Sequence, residues 1–300
     1  MPATVSLPTS QELPTKVGII AGWGDFPIIV AKALHQAGVE VYCVMLHGHA
    51  DPELAKYCTR IQWLGVTKLG GKIRFFRRHG VKHVTMAGKL FKTLMFQRFA
   101  WLRHLPDLHF LRYFYNHFLT NKAGRNDDEL MLTIIKAFSD SGIKMAPATD
   151  YAPELLIGKG VLTKQSITDY LWEDIQFGWT MAKEMGRLDI GQTVIVHSRA
   201  VVAVEAVEGT DACIERAGQL CPAGGFVVVK VAKPQQDMRF DVPTIGINTL
   251  KNIHQAGGRV LAIEAERTIV LNQDEVVDFA NANGMTLVAL DETNLRSKVA

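Results

Sequence analysis

The 300-residue sequence predicts an α/β protein with two domains: an N-terminal Rossmann-like parallel-sheet domain and a second, C-terminal α/β domain, joined by a linker. Three observations predict it. From Val17 to Ala87, short apolar runs alternate with amphipathic segments, the pattern of strand–helix–strand units. The alternation resumes after Ser166. Between the halves lies the stretch 147–163, where Pro153, Gly158 and Gly160 mark a connection. The domains read as 16–146 and 164–300, with 1–15, rich in Pro, Ser and Thr, a disordered lead-in.

Composition narrows the function classes. A chain that is 48% hydrophobic and 21% charged is globular, and a net charge of +3 is too small for a nucleic-acid binder. Cys43, Cys58, Cys213 and Cys221 form no CxxC pair, so the spacing suggests neither a zinc ribbon nor a disulfide framework. The N-terminus lacks the basic and apolar regions of a secretory signal, and no apolar run reaches the roughly 18 residues of a membrane span. The expected location is cytoplasmic.

In chain order, Val17–Ala21 reads as a strand that ends in Gly22-Trp23-Gly24, and Ile28–Gln36 as a helix. A glycine turn lets backbone approach a phosphate at a helix N-terminus. Pro27 stands where a dinucleotide fingerprint needs its third glycine. The next strand, Val39–Leu46, ends in His47 without a ribose-binding acid, which disfavours NAD. His47 and His49 have no further partner at zinc spacing, and Asp51 with Pro52 reads as a helix start. Strands at Ile61–Leu64 and His83–Ala87 flank a basic helix, Leu69–Arg78.

The stretch 94–119 is dense in aromatics and carries Arg98, Arg103 and Arg112, with Pro106 dividing it into two helices. Leu108, Leu111, Phe114, Tyr115 and Phe118 recur at helical spacing. Core packing, a homodimer seam and an anionic membrane surface all suit that pattern. Asn126 or Asp127 caps a following helix, Leu130–Ser139, with Asp128 in its first turn. In the second half, Ser166 caps a helix to about Met185. Strands at Thr193–His197 and Ala200–Ala206 then form a hairpin. Thr210 or Asp211 caps Ala212–Gln219, and its Gly209-Thr210 turn is a ready anion site. A helix at Leu250–Ala256, a strand at Val260–Ile263, a helix at Asp274–Asn283 and a strand at Thr286–Leu290 complete the domain.

The chemistry is expected in Lys233–Thr249, directly after the apolar run Phe226–Ala232. Lys233, Asp237, Arg239 and Asp241 crowd an interval fenced by Pro234 and Pro243, which forbid one continuous helix. Two carboxylates and two cations at a strand end can hold a divalent metal and a phosphate together, although a solvated loop with exposed ion pairs has the same composition.

Five motifs in this order carry a resemblance: Gly22-Trp23-Gly24 with Pro27; Gly124–Leu130 with Asp127-Asp128; Gly186–Gln192; Glu205-Ala206-x-Glu208-Gly209-Thr210-Asp211; and Lys233-Pro234-x-Gln236-x-x-Arg239-x-Asp241-x-Pro243. The chain resembles, from Val17 to Leu290, the I-type UDP-2,3-diacylglucosamine pyrophosphatases of lipid A biosynthesis. That resemblance implies a Mg²⁺-dependent hydrolase, peripheral on the inner face of the inner membrane. It would release UMP and 2,3-diacylglucosamine 1-phosphate (lipid X) from the UDP-linked acylated sugar by water attack on the sugar-side phosphorus. Asp241 matches the family's essential aspartate, and Asp237 stands where other members can carry glutamate. The expected catalytic set is Asp241, Asp237, Arg239 and Lys233. Metal candidates are Asp241, Asp237, Glu208 and Asp211. Substrate candidates are Gly22, Trp23, Gly24, Gln236, Gly209, Thr210, Asp127 and Asp128. A nucleotide- or lipid-binding regulatory protein without turnover is the competing class. The departures from the family pattern are the N-terminal extension and the aromatic 94–119 stretch.

Overall fold

The computed structural model describes residues 13–90, 105–119 and 127–297, without the side chains of 116–119, 127–128 and 296–297. Most of the lead-in, the first half of the aromatic stretch with Arg98 and Arg103, and Gly124 to Asn126 lie outside the described residues. Two compact units divide between Pro153 and Glu154.

The N-terminal unit holds β1 (Lys16–Ala21), α1 (Phe26–Gln36), β2 (Glu40–Leu46), β3 (Arg60–Leu64), α2 (Leu69–Arg78), β4 (His83–Ala87), α3 (Leu108–Leu119), α4 (Asp127–Asp140) and β5 (Lys144–Met145). Its sheet has the order β3-β2-β1-β4-β5, all parallel. β1, β2 and β4 are mostly buried because helices cover both faces, whereas the edge strand β3 is largely exposed. The order reverses between β1 and β4, and the Gly22–Gly24 turn follows β1 at that switch point. Asp51 opens a 3₁₀ turn, Pro52–Tyr57, by accepting the Glu53 amide at 2.8 Å. Asp107 starts α3: one carboxylate oxygen accepts the Phe110 amide at 2.9 Å and the other the Gly71 amide at 2.9 Å. On α3, Phe114 is buried, whereas Leu108, Leu111 and Tyr115 are exposed.

The C-terminal unit holds β6 (Gly160–Val161), α5 (Asp169–Arg187), β7 (Thr193–His197), β8 (Ala200–Val204), α6 (Thr210–Leu220), β9 (Val227–Lys230), β10 (Thr244–Ile245), α7 (Ile247–Gln255), β11 (Val260–Glu264), β12 (Ile269–Val270), α8 (Gln273–Ala282), β13 (Thr286–Leu290) and α9 (Glu292–Ser297). The main sheet runs β6-β13-β11-β9-β7-β8, with β9, β11 and β13 parallel and the outer strands antiparallel. Strand residues alternate between two cores. Val227, Val229, Val260, Ala262 and Val288 pack on Leu171, Trp172, Ile175 and Trp179 of α5. Val228, Leu261, Ile263 and Leu287 pack on Ile214, Leu250, Ile253 and Val276 of α6, α7 and α8.

Two capping expectations are corrected. α5 starts at Asp169 with Thr168 as its N-cap, so Ser166 lies ahead of the helix. α6 starts at Thr210, and its N-cap is Gly209 at φ +83°, a conformation that neither Thr210 nor Asp211 adopts cheaply. Within 147–163, β6 pairs with β13, and the Ile157 amide donates to Thr268 O at 3.0 Å.

Candidate active site

The parallel strands β9, β11 and β13 all end at one edge of the C-terminal sheet, where α/β proteins bind ligands. The loop after β9 leaves from this edge. β9 ends at Lys230, Pro234 follows four residues on, and the Asp237 carbonyl accepts the Phe240 amide at 3.2 Å and the Asp241 amide at 3.0 Å. That single turn places Asp237 and Asp241 one helical turn apart.

Each charge on the loop except one is committed. Arg239 grips Asp237 with two prongs, Nε to Oδ1 at 2.8 Å and Nη2 to Oδ2 at 2.5 Å. The guanidinium holds the Asp237 carboxyl below its usual range. Lys233 Nζ donates to Asp189 Oδ1 at 2.6 Å, and the Lys233 amide donates to Gln236 Oε1 at 2.7 Å. Gln236 Nε2 in turn donates to Gln192 Oε1 at 3.4 Å. Asp241 is half-buried, and its carboxylate has no partner among the described residues.

The segment Gly186–Gln192 is a brace for this loop. Asp189, at φ +57°, holds Lys233, and the Gly186 carbonyl accepts from Gln235 Nε2 at 2.9 Å. A Cβ on Gly191 would lie 2.0 Å from the Glu205 carbonyl oxygen, so only glycine lets the brace meet the end of β8. Gly191→Ala is expected to lower stability by about 1–3 kcal/mol through overpacking against backbone. Thermal denaturation checks it, and an unchanged melting temperature would mean the two segments part without cost.

At the neighbouring strand end, Glu205 and Lys230 are both buried. Lys230 Nζ donates to Thr210 Oγ1 at 2.7 Å, and Thr210 O–H donates to Glu205 Oε1 at 2.7 Å. The Thr210 hydroxyl is therefore engaged on both sides, which leaves the backbone amides of the first turn of α6 as its anion-facing groups. Glu208 is held by Arg216 Nη2 at 2.9 Å, and Asp211 is exposed in the first turn of α6. No three His, Cys, Asp or Glu side chains converge among the described residues.

Beneath the loop's start, Lys183 Nζ donates to Glu264 Oε1 and Oε2 at 2.8 and 2.7 Å and to the Ala232 carbonyl at 3.1 Å. Glu264 Oε2 also accepts the Ala232 amide at 2.8 Å. Sequence reasoning assigned no role to Lys183, Glu264, Glu205 or Lys230. The available signal was a charged residue at the carboxyl end of an apolar run, in FVVVK and VLAIE.

In the N-terminal unit, Gly22 donates its amide to Ala87 O at 2.8 Å, and Trp23 and Lys89 exchange backbone hydrogen bonds at 2.9 Å. A Cβ on Gly22 would lie 2.7 Å from Lys89 O, and Gly88, at φ +93°, packs against Pro27, so the ends of β1 and β4 touch backbone to backbone. That contact accounts for Gly22 and for Pro27 in place of the third fingerprint glycine. Gly24, at φ +100°, has open space around it, and Trp23 is exposed. Asp127 and Asp128 open α4 as backbone, and their side chains lie outside the described residues. A cavity of about 530 Å³ between β6, β13, α5 and α9 is lined by none of these candidates.

Comparison with known proteins follows the same division. Residues 16–155 match the family model described as LpxI N-terminal domain, and residues 158–288 match LpxI C-terminal domain. A Caulobacter vibrioides protein named UDP-2,3-diacylglucosamine pyrophosphatase LpxI is 31% identical over 287 residues, which cover 92% of this chain and 98% of that protein. Two solved structures share only distant similarity. The biotin carboxylase domain of a thermophilic 2-oxoglutarate carboxylase has a TM-score of 0.26 and 12% identity, over 70% of this chain and 33% of the other. The biotin carboxylase subunit of pyruvate carboxylase has a TM-score of 0.26 and 12% identity, over 64% of this chain and 36% of that one. The chain spans about a third of either, and nothing about site or fold follows from them.

Proposed function

The chain belongs to the LpxI family, and from that premise we propose that it hydrolyses the pyrophosphate of UDP-2,3-diacylglucosamine at the loop after β9. The observation that carries the reading is Asp241, a half-buried carboxylate without a side-chain partner among the described residues, on a loop whose other charges are held in fixed pairs. Pyrophosphate hydrolysis needs an oriented water and fixed cations on the phosphate oxygens. Lys233, oriented by Asp189, and Arg239, oriented by Asp237, are cations already set in place, which avoids reorganisation during the reaction. The amides at the start of α6, backed by Lys230, add donors for a phosphate. Water attacks the phosphorus on the sugar side, the bond to the bridging oxygen breaks, and UMP leaves with that oxygen. The acylated sugar keeps its 1-phosphate.

Mg²⁺ fits the donor set. It binds through one or two carboxylates, with water and substrate oxygens completing an octahedron, so a cluster of three acids is unnecessary. Asp241 would hold it, whereas Asp237 and Glu208 are engaged by arginines. When bound, the ion polarises a phosphoryl oxygen. Release of UMP from UDP-2,3-diacylglucosamine is expected to stop in excess EDTA and to return with Mg²⁺. Full turnover in EDTA would remove the metal from the account, and bound substrate without UMP would make the chain a binding protein.

A second reading concerns the membrane. No helix among the described residues is long and apolar enough to cross one. On α3, Leu108 is 83% and Tyr115 63% exposed, and Leu111 and Arg112 share their face at i+3 and i+4 spacing. Exposed apolar and basic residues on one helix face suit an anionic bilayer, where each Arg contributes about 1 kcal/mol. Neutralising Arg98, Arg103 and Arg112 together is expected to weaken binding to phosphatidylglycerol vesicles by roughly 100-fold at low salt. Co-sedimentation measures it. Unchanged binding would turn this face over to a homodimer seam.

A further inference from the structure

A row of buried polar side chains crosses the C-terminal sheet at the edge from which the loop after β9 leaves. Thr193 on β7 stands opposite Lys230 on β9, and the Glu205 amide donates to Thr193 O at 2.9 Å, so the three residues lie side by side. Ile195, Val228 and Ala203, two positions away on each segment, belong to the core that includes Ile214 of α6. Alternation therefore turns Thr193, Lys230 and Glu205 towards α6 as well. Thr210, the first residue of α6, joins them there. Its hydroxyl accepts from Lys230 Nζ and donates to Glu205 Oε1, both at 2.7 Å.

This network is poorly built for stability. Glu205 is 8% exposed and Thr193 0%, yet Glu205 Oε2 and Thr193 Oγ1 are buried with no hydrogen-bond partner among the described residues. A half-satisfied buried network contributes less to folding than apolar side chains of the same volume. What it supplies is orientation. Lys230 closes β9 just ahead of Lys233, and Thr210 opens α6, so one hydroxyl ties the helix amides to the start of the loop. We propose that Glu205, Thr210 and Lys230 are positioning residues, which lock the first turn of α6 against the end of β9 so that the helix amides and the loop's cations meet one diphosphate together. The inference rests on the reading of this loop as the pyrophosphate site. Thr210 acts through the backbone it fixes, since its hydroxyl is engaged on both sides.

The test compares Thr210→Val, Thr210→Ser and the apolar triple variant Glu205→Leu, Thr210→Val, Lys230→Met. The readouts are calorimetric binding of UDP, KM and kcat for UMP release, and thermal melting. Thr210→Val should raise both the UDP Kd and the KM about tenfold, with kcat within about twofold of wild type. Thr210→Ser keeps the hydroxyl and should bind UDP as wild type does. The triple variant should melt no lower than wild type while losing at least as much affinity as Thr210→Val. A Thr210→Val protein with wild-type KM and Kd overturns the proposal, as does a Thr210→Ser protein that binds as weakly as Thr210→Val. A triple variant that melts well below wild type also overturns it, by making the network structural support. Wild-type protein that neither binds UDP nor releases UMP would overturn the pyrophosphatase reading, and this inference with it.

Discussion

Replacing Asp241 with alanine is expected to lower UMP release by roughly 10³-fold or more while leaving the fold intact, since a metal-holding carboxylate at a phosphoryl centre supplies several kcal/mol of charge stabilisation. Both halves of that expectation come from the same geometry. Asp241 contributes a backbone bond to the turn, its amide donating to Asp237 O at 3.0 Å, and alanine keeps that bond. Its carboxylate supports no other described residue, so its removal strands no partner. Asp237→Ala is the informative contrast, because it leaves Arg239 without its two-pronged partner and loosens the loop. An Asp241→Ala protein that melts like wild type and still turns over substrate at a similar rate would make this carboxylate a bystander.

Glu264→Ala is expected to cost about 3 kcal/mol of stability, the loss typical of breaking a buried ion pair on one side. Glu264 has only 9% of its side chain exposed and Lys183 18%, and two hydrogen bonds join them. Removing the carboxylate leaves the Lys183 ammonium to the Ala232 carbonyl and the Trp179 ring, 5.7 Å from its centroid, and strands the Ala232 amide. The midpoint of thermal unfolding should fall by roughly 6–12 °C. Because Ala232 directly precedes Lys233, turnover should fall at temperatures where the chain is still folded. Glu264→Gln keeps an acceptor for the Ala232 amide and should do less damage. A Glu264→Ala protein with wild-type melting would show that this network contributes nothing net.

The inner strands were legible because they are buried on both faces and so read as apolar runs, as in Val227–Lys230 and Val260–Glu264. β10 and β12 were not, because two residues leave no periodicity. Helix starts failed where backbone geometry outranked side-chain chemistry: Gly209, at positive φ, caps α6 although Thr210 and Asp211 both look like caps. Helical spacing on α3 could not tell Phe114, which is buried, from Leu108 and Leu111, which are exposed. The loop itself was visible from its charges and prolines. Its support was not, because Lys233 meets Asp189 and Glu264 meets Lys183 across long separations in sequence that no local pattern encodes. The Gly186–Gln192 motif was noticed for its residues, and only the structure gives it the work of a brace.

The measurement that bears most directly on the central claim is a mass spectrum of small molecules that co-purify with Asp241→Asn, paired with an assay for UMP. The account predicts the intact mass of a UDP-linked, diacylated glucosamine on a folded protein that forms almost no UMP, while wild type converts the same compound to UMP and the acylated sugar 1-phosphate in equal amounts. An Asp241→Asn protein that holds no such lipid and cleaves it as fast as wild type would contradict the placement of the chemistry on this loop.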